Sequence, residues 1–169
     1  LELGGNAPFV VFDDANLEQA VDAAMAAKLR NAGQTCVAAD RFLVHSSVQK
    51  DFVSLFAERV ESLKVGDGMM EGTAVGPLIS SQAVENVYQK VQEAVNEGAH
   101  CVLGGSKMPE LGPNFLEPTI LTDVDTDSSI WKTENFGPVA AIRSFDTEEE
   151  AIEIANDSRA GLASYFCTQ

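Results

Sequence analysis

The sequence predicts an α/β fold of three layers, with a largely parallel sheet and helices on both faces, in one domain spanning residues 1–169. Three observations lead there. Short apolar runs rich in β-branched and aromatic residues alternate with segments of helical periodicity. The first run, Ala7 to Phe12, is apolar throughout instead of alternating, as a strand buried on both faces requires. With 169 residues, 45% of them apolar and 22% charged, the chain can bury one core but not comfortably two.

Each element has its own warrant. Ala7 to Phe12 carries Pro8 near its start and is closed by Asp13 and Asp14. Asn16 can then cap a helix with Gln19 three residues on, and Leu17, Ala20, Val21, Ala24 and Leu29 recur at helical spacing as far as Asn31-Ala32-Gly33. Arg41 to His45 reads as a short strand, and Val48 to Leu63 as a helix with Phe52, Phe56, Val60 and Leu63 along one stripe. Gly66, Gly68, Gly72, Gly76 and Pro77 predict a long loop. Ser80 or Ser81 can begin a third helix, whose Val84, Val87, Val91 and Val95 share a face and whose Gly98 supplies a left-handed stop. His100 to Leu103 is the next strand, and residues 106–127 are mostly connection around a short strand at Thr119 to Leu121. Val139 to Phe145 reads as a strand. Thr147 and Glu150 form a capping box for a helix to Asn156 with Ala151, Ile152, Ile154 and Ala155 inward, and Ala163 to Phe166 closes as a strand.

Charge and cysteine usage narrow the function. Lys plus Arg number 11 against 26 Asp plus Glu, a net charge of -15 with no basic patch, which argues against nucleic acid and anionic lipid as partners. No apolar stretch approaches the roughly 20 residues of a membrane span. Cys36, Cys101 and Cys167 are too few and too scattered for a disulfide framework, so a reducing intracellular compartment is expected. The chain opens on Leu1 without an initiator Met and stops after a strand-like run, which is expected of a piece of a longer protein.

Few residues announce chemistry on their own. Cys36 lies in the Gly-containing loop Asn31-Ala32-Gly33-Gln34-Thr35-Cys36, where backbone N–H groups could stabilise a thiolate. Taken alone, the commoner state of such a cysteine is a buried structural thiol, and that reading holds for Cys101 and Cys167. Glu2, between Leu1 and Leu3, could have its carboxyl raised by desolvation into the range of a general base, or could be an exposed strand residue. His45 and His100 have no partner at metal-ligand spacing, so no metal is assigned. The phosphate-cradling glycine motifs are missing.

Three stretches in register say more than any residue alone. Leu1-Glu2-Leu3-Gly4-Gly5, Gly33-Gln34-Thr35-Cys36 and Glu134-Asn135-Phe136-Gly137-Pro138 resemble the catalytic-domain motifs of the aldehyde dehydrogenase superfamily. The resemblance runs over the whole chain, through Asn6-Ala7-Pro8-Phe9, Val75-Gly76-Pro77-Leu78-Ile79 and Pro118-Thr119-Ile120-Leu121, and is nearest to the succinate-semialdehyde dehydrogenases.

The resemblance implies that Cys36 is the nucleophile toward an aldehyde, expected to be succinic semialdehyde, passing through a thiohemiacetal and a thioester with hydride transfer to NAD or NADP. Glu2 matches the general base, and the Cys36 backbone N–H matches one of two oxyanion donors. Glu134 matches the carboxylate that binds the nicotinamide ribose, and Phe136 the aromatic beside the nicotinamide. Arg30 matches an arginine that pairs with the distal carboxylate of semialdehydes, or else is an exposed helix-end cation. Ala38 stands where some succinate-semialdehyde dehydrogenases carry a second cysteine, so that redox switch is expected to be missing. By the same resemblance the chain is a catalytic-domain fragment, without the Rossmann-like cofactor domain and the C-terminal stretch, so the isolated fragment is expected to be inactive as a dehydrogenase. The full-length enzyme is expected to be a homo-oligomer of the cytoplasm or mitochondrial matrix. The alternatives are another aldehyde dehydrogenase, a non-catalytic truncated module, or a cofactor-free ester or thioester hydrolase.

Overall fold

The computed structural model describes residues 3–169. Among the described residues, eight strands and five α-helices follow in the order β1 (Ala7–Val11), α1 (Leu17–Leu29), β2 (Ala39–His45), α2 (Ser46–Glu61), β3 (Lys64–Val65), β4 (Thr73–Val75), α3 (Ser81–Asn96), β5 (His100–Leu103), β6 (Thr119–Thr122), α4 (Ser129–Lys132), β7 (Val139–Phe145), α5 (Glu148–Asn156) and β8 (Tyr165–Cys167). Six strands form one sheet in the order β5-β6-β7-β2-β1-β8. All its neighbours run parallel except β5, which lies antiparallel to β6 at one edge. The fold class is therefore the expected one, a largely parallel sheet between two helical layers.

Strand side chains alternate between two cores. Phe9, Val11, Phe42, Val44, Ile120, Ala140 and Ile142 face α1 and α2, meeting Ala20, Val21, Ala24, Phe52, Phe56 and Val60. Val10, Leu43, Leu121, Val139, Ala141 and Phe145 face the other way, meeting Val84, Val87 and Val91 of α3, Ile130 and Trp131 of α4, and Ala151 of α5. Both faces of β1, of residues 42–44 in β2 and of residues 139–142 in β7 are thus dry, which is why those stretches read as continuous apolar runs.

The caps agree with the sequence. Asn16, Ser80 and Thr147 each accept a backbone N–H three residues on, from Gln19, Ala83 and Glu150. Several boundaries differ from expectation. The second helix starts at Ser46 because the His45 side chain accepts the Ser47 N–H and serves as its cap. The last strand is Tyr165–Cys167, set by pairing of Phe9, Val10 and Val11 with Tyr165, Phe166 and Cys167. The glycine-rich loop holds a small parallel pair, β3 with β4, and the connection before β7 holds α4, both too short for any periodicity to register. Val95 is partly exposed and Ala94 takes the buried place on α3, while Ile152 of α5 points to solvent.

Candidate functional site

β1, β2, β7 and β8 are mutually parallel, so the segments leading into them meet at one edge of the sheet. Those segments are residues 3–6, 34–38, 133–138 and 157–164, and three of them contain the motifs singled out in the sequence. Leu3, Gly4, Gly5, Glu134, Gly161 and Leu162 are among the walls of a cleft of about 560 Å³ at this edge.

The Cys36 loop is built from unusual backbone. After α1 the chain makes a single 3-10 turn over Arg30–Gly33, in which Asn31 and Ala32 have φ of 53° and 54° and Gly33 has φ of 75°. Only glycine fits at Gly33, since a β-carbon there would stand 2.1 Å from the Gly137 carbonyl oxygen. Gln34 braces the loop from its far side: its amide group donates to the Asn31 and Pro77 carbonyls and accepts the Ile79 N–H at 2.8 Å. Cys36 itself is half-buried. Across the edge strand, the Tyr165 hydroxyl donates to the Val37 carbonyl at 2.8 Å.

Gly5 joins this loop to the carboxylate loop. Its N–H donates to Glu134 Oε1 at 2.8 Å. A β-carbon on Gly5 would lie 1.8 Å from the Cys36 carbonyl oxygen, and one on Gly4 would lie 2.9 Å from Glu134 Oε2. The glycine pair therefore allows backbone, thiol loop and carboxylate to approach closer than any side chain would permit.

Behind the carboxylate loop lies a charged network that the sequence reading did not anticipate. Lys28 of α1 and Asp40 of β2 form a buried ion pair at 2.7 Å, with side-chain exposures of 0% and 2%. The other oxygen of Asp40 accepts the Asn135 N–H at 3.1 Å, and Lys90 of α3 donates to the Glu134 carbonyl at 2.7 Å and to Asn135 Oδ1 at 3.3 Å. Burial lowers the Lys90 ammonium below the ordinary lysine value, opposed in part by Asp40 and Glu134. Next to Asp40, buried Arg41 donates to the carbonyls of Asn6, Ile154 and Ala155 and so ties the entry of β1 to the end of α5.

Of the residues expected at the site, Cys36 and Glu134 are drawn onto the same pair of glycines. Phe136 is 42% exposed, with φ of 51°, one residue before the glycine that meets Gly33. Arg30 is exposed at the end of α1. Glu2 lies outside the described residues. Lys28, Asp40 and Lys90 were missed, although the first two left a signal: Lys28 falls on the stripe of Ala20, Val21 and Ala24, and Asp40 follows the apolar Val37-Ala38-Ala39 at the start of β2. Burial pushes the thiols of Cys101 and Cys167 above their ordinary value. Among the described residues there is no group of His, Cys, Asp or Glu that could hold a metal, and no helix is long and apolar enough to cross a membrane.

The fold is that of aldehyde dehydrogenase structures: succinate-semialdehyde dehydrogenase from Burkholderia pseudomallei superposes with a TM-score of 0.97 at 47% identity, over 100% of this chain and 35% of that one. The model of the Aldehyde dehydrogenase family matches residues 1–169, and the chain belongs to that family. It is 53% identical over 170 aligned residues to the mitochondrial succinate-semialdehyde dehydrogenase of Homo sapiens, covering 100% of this chain and 32% of the relative. Against succinate semialdehyde dehydrogenase of Acinetobacter baylyi it is 48% identical, covering 100% and 35%. The chain thus spans about a third of the length of the curated relatives it matches.

Proposed function

We propose that this chain supplies the catalytic-domain portion of an NAD(P)-dependent aldehyde dehydrogenase that oxidises succinic semialdehyde to the dicarboxylic acid. The observation that carries the reading is the convergence on Gly5, whose α-carbon abuts the Cys36 backbone and whose N–H holds Glu134. In this reading Cys36 Sγ attacks the aldehyde carbon to give a thiohemiacetal, and its backbone N–H contributes to stabilising the oxyanion. Glu2 takes the proton of the water that later attacks the thioester, returning the free thiol and releasing the acid. Arg30, exposed at the end of α1, pairs with the distal carboxylate of the substrate.

The residues present fit the nicotinamide end of a dinucleotide. Glu134 presents a half-buried carboxylate against Gly4, where a β-carbon would occupy the approach, and Phe136 holds an aromatic ring out toward solvent. Glu134 would accept from the ribose hydroxyls and Phe136 would pack beside the nicotinamide. When bound, the cofactor accepts the hydride leaving the substrate carbon. The remainder of the dinucleotide belongs to a domain outside this chain, so residues 1–169 alone bind it weakly and turn over little or nothing as a dehydrogenase.

The test uses the full-length protein with succinic semialdehyde and with propanal as an uncharged aldehyde, reading reduced-nicotinamide absorbance. Cys36→Ala should abolish the absorbance rise. Arg30→Ala should raise KM for succinic semialdehyde far more than for propanal, and equal losses on both would remove the role given to Arg30.

A further inference from the structure

We propose that Lys90 and Asp40 clamp the single peptide group between Glu134 and Asn135, one charge at each end, and thereby hold the Glu134 and Phe136 side chains where the cofactor meets them. The proposal rests on the reading of Glu134 and Phe136 as cofactor contacts.

The geometry is specific to that one peptide. Its carbonyl oxygen belongs to Glu134 and accepts from the Lys90 ammonium at 2.7 Å, while its N–H belongs to Asn135 and donates to the Asp40 carboxylate at 3.1 Å. A peptide unit is planar and carries a dipole along the C=O and N–H directions, so a cation at the oxygen and an anion at the hydrogen both favour one orientation. Turned over, the carbonyl would face a carboxylate and the N–H an ammonium, and both charge-assisted bonds would become repulsions. Because the plane fixes ψ of Glu134 and φ of Asn135, it also fixes where the flanking side chains leave the backbone.

The clamp is itself anchored. Asp40 is held by Lys28 at 2.7 Å in a pair withdrawn from water, and the Asn135 side chain is tethered twice, donating to the Ile130 carbonyl at 2.9 Å and accepting from Lys90. One residue on, Phe136 has φ of 51°, a conformation that non-glycine residues adopt only when their surroundings impose it. Three separate elements, α1, β2 and α3, thus spend charged groups on a loop whose tip carries the two proposed cofactor contacts. Lys90 is the half-buried member and the one whose removal leaves the buried Lys28 and Asp40 pair intact, which makes it the position to perturb.

The experiment uses the full-length protein in the forms Lys90→Met, Lys90→Arg and Glu134→Gln, each checked by its melting temperature. NAD+ and NADP+ are titrated separately by quenching of protein fluorescence, and the rate of Cys36 alkylation by iodoacetamide is followed in the absence of cofactor. Expected are a roughly tenfold weaker Kd for Lys90→Met, substantial recovery in Lys90→Arg, and alkylation of Cys36 within about twofold of the unsubstituted protein. A Lys90→Met Kd within about twofold of the unsubstituted protein, with Glu134→Gln weakened, would overturn the clamp and leave the cofactor contact standing. Loss of cofactor binding and of Cys36 alkylation together in Lys90→Met would overturn it in favour of a general structural role. If Glu134→Gln binds both cofactors unchanged, the cofactor reading of that carboxylate fails, and the clamp's purpose fails with it.

Discussion

Replacing Gly5 by alanine tests the central contact of the site. The added β-carbon would stand 1.8 Å from the Cys36 carbonyl oxygen and 3.0 Å from its carbonyl carbon. Real β-carbons essentially never approach closer than 3.0 Å, so relieving the oxygen contact alone requires a shift of about 1.2 Å. The obstacle is backbone on both sides, and no rotamer change relieves it. Overpacking of this kind costs roughly 1–3 kcal/mol, which for about 170 residues lowers the melting temperature by about 2–12 °C. The larger effect falls on chemistry, because displacing a reacting group by about 1 Å costs on the order of a hundredfold in rate. The segment that moves carries the thiol on one side, while on the other the Gly5 N–H holds Glu134. In the full-length protein, Gly5→Ala should therefore retain its fold and lose about two orders of magnitude in kcat. The assay pairs a thermal melt with initial rates on succinic semialdehyde. A variant with unchanged melting temperature and a rate within about twofold of the parent would refute the claim that the glycine exists to admit the Cys36 backbone.

Other consequences follow from the same structure. Lys28→Met should destabilise by about 3–5 kcal/mol, because it strands the Asp40 carboxylate in the interior, and denaturant unfolding measures it. Gly33→Ala combines φ of 75° with a 2.1 Å approach to the Gly137 carbonyl oxygen and should lower soluble yield or melting temperature more than Gly68→Ala, where a β-carbon meets nothing within 4 Å. Thr147→Ala removes the cap of α5 and should cost roughly 1 kcal/mol, read from the shift in denaturation midpoint. Near neutral pH, iodoacetamide should label Cys101 and Cys167 slowly, because burial holds both thiols protonated. Their folded values lie above the unfolded ones, so the stability they contribute is complete below the unfolded thiol value and declines as pH rises through the folded one, which alkaline melts would detect.

The sheet was legible in the sequence because both of its faces are covered: Phe9, Val11, Phe42 and Val44 bury on one side while Val10 and Leu43 bury on the other, so residues 9–11 and 42–44 form unbroken apolar runs. Three helix starts were legible for an equally local reason, since Asn16, Ser80 and Thr147 cap N–H groups three residues away. The small sheet of Lys64–Val65 with Thr73–Val75 was not, because two or three residues set no period and the pairing is decided by how the loop folds back. The site was legible only as separate words. Nothing local to Glu134 says that its carboxylate reaches Gly5, 129 residues away, or that Asp40 and Lys90 will meet at the next peptide. Those contacts depend on strand order, which places β1 beside β2 and β2 beside β7 despite long intervening sequence.

Strand order also sets which end of the sheet carries the candidate site. In open α/β sheets, phosphates bind at the carboxyl ends of strands, where following helices present their positive amino termini. Here the motifs collect at the opposite edge, ahead of β1, β2 and β7, and the helices arriving there are α1, the single turn of α4, and α5, which present their carboxyl ends. That edge carries the negative ends of helix dipoles, with Glu134 added, in a chain of net charge -15. Exposed Arg30 at the end of α1 and Lys132 and Arg159 in the cleft wall offset that field locally, while a neutral ribose seeking an acceptor and an aromatic face suits Glu134 and Phe136 in the proposed reading. In that reading the clamp on the peptide between Glu134 and Asn135 presents two rigid contacts, a carboxylate to the ribose hydroxyls and an aromatic ring to the nicotinamide.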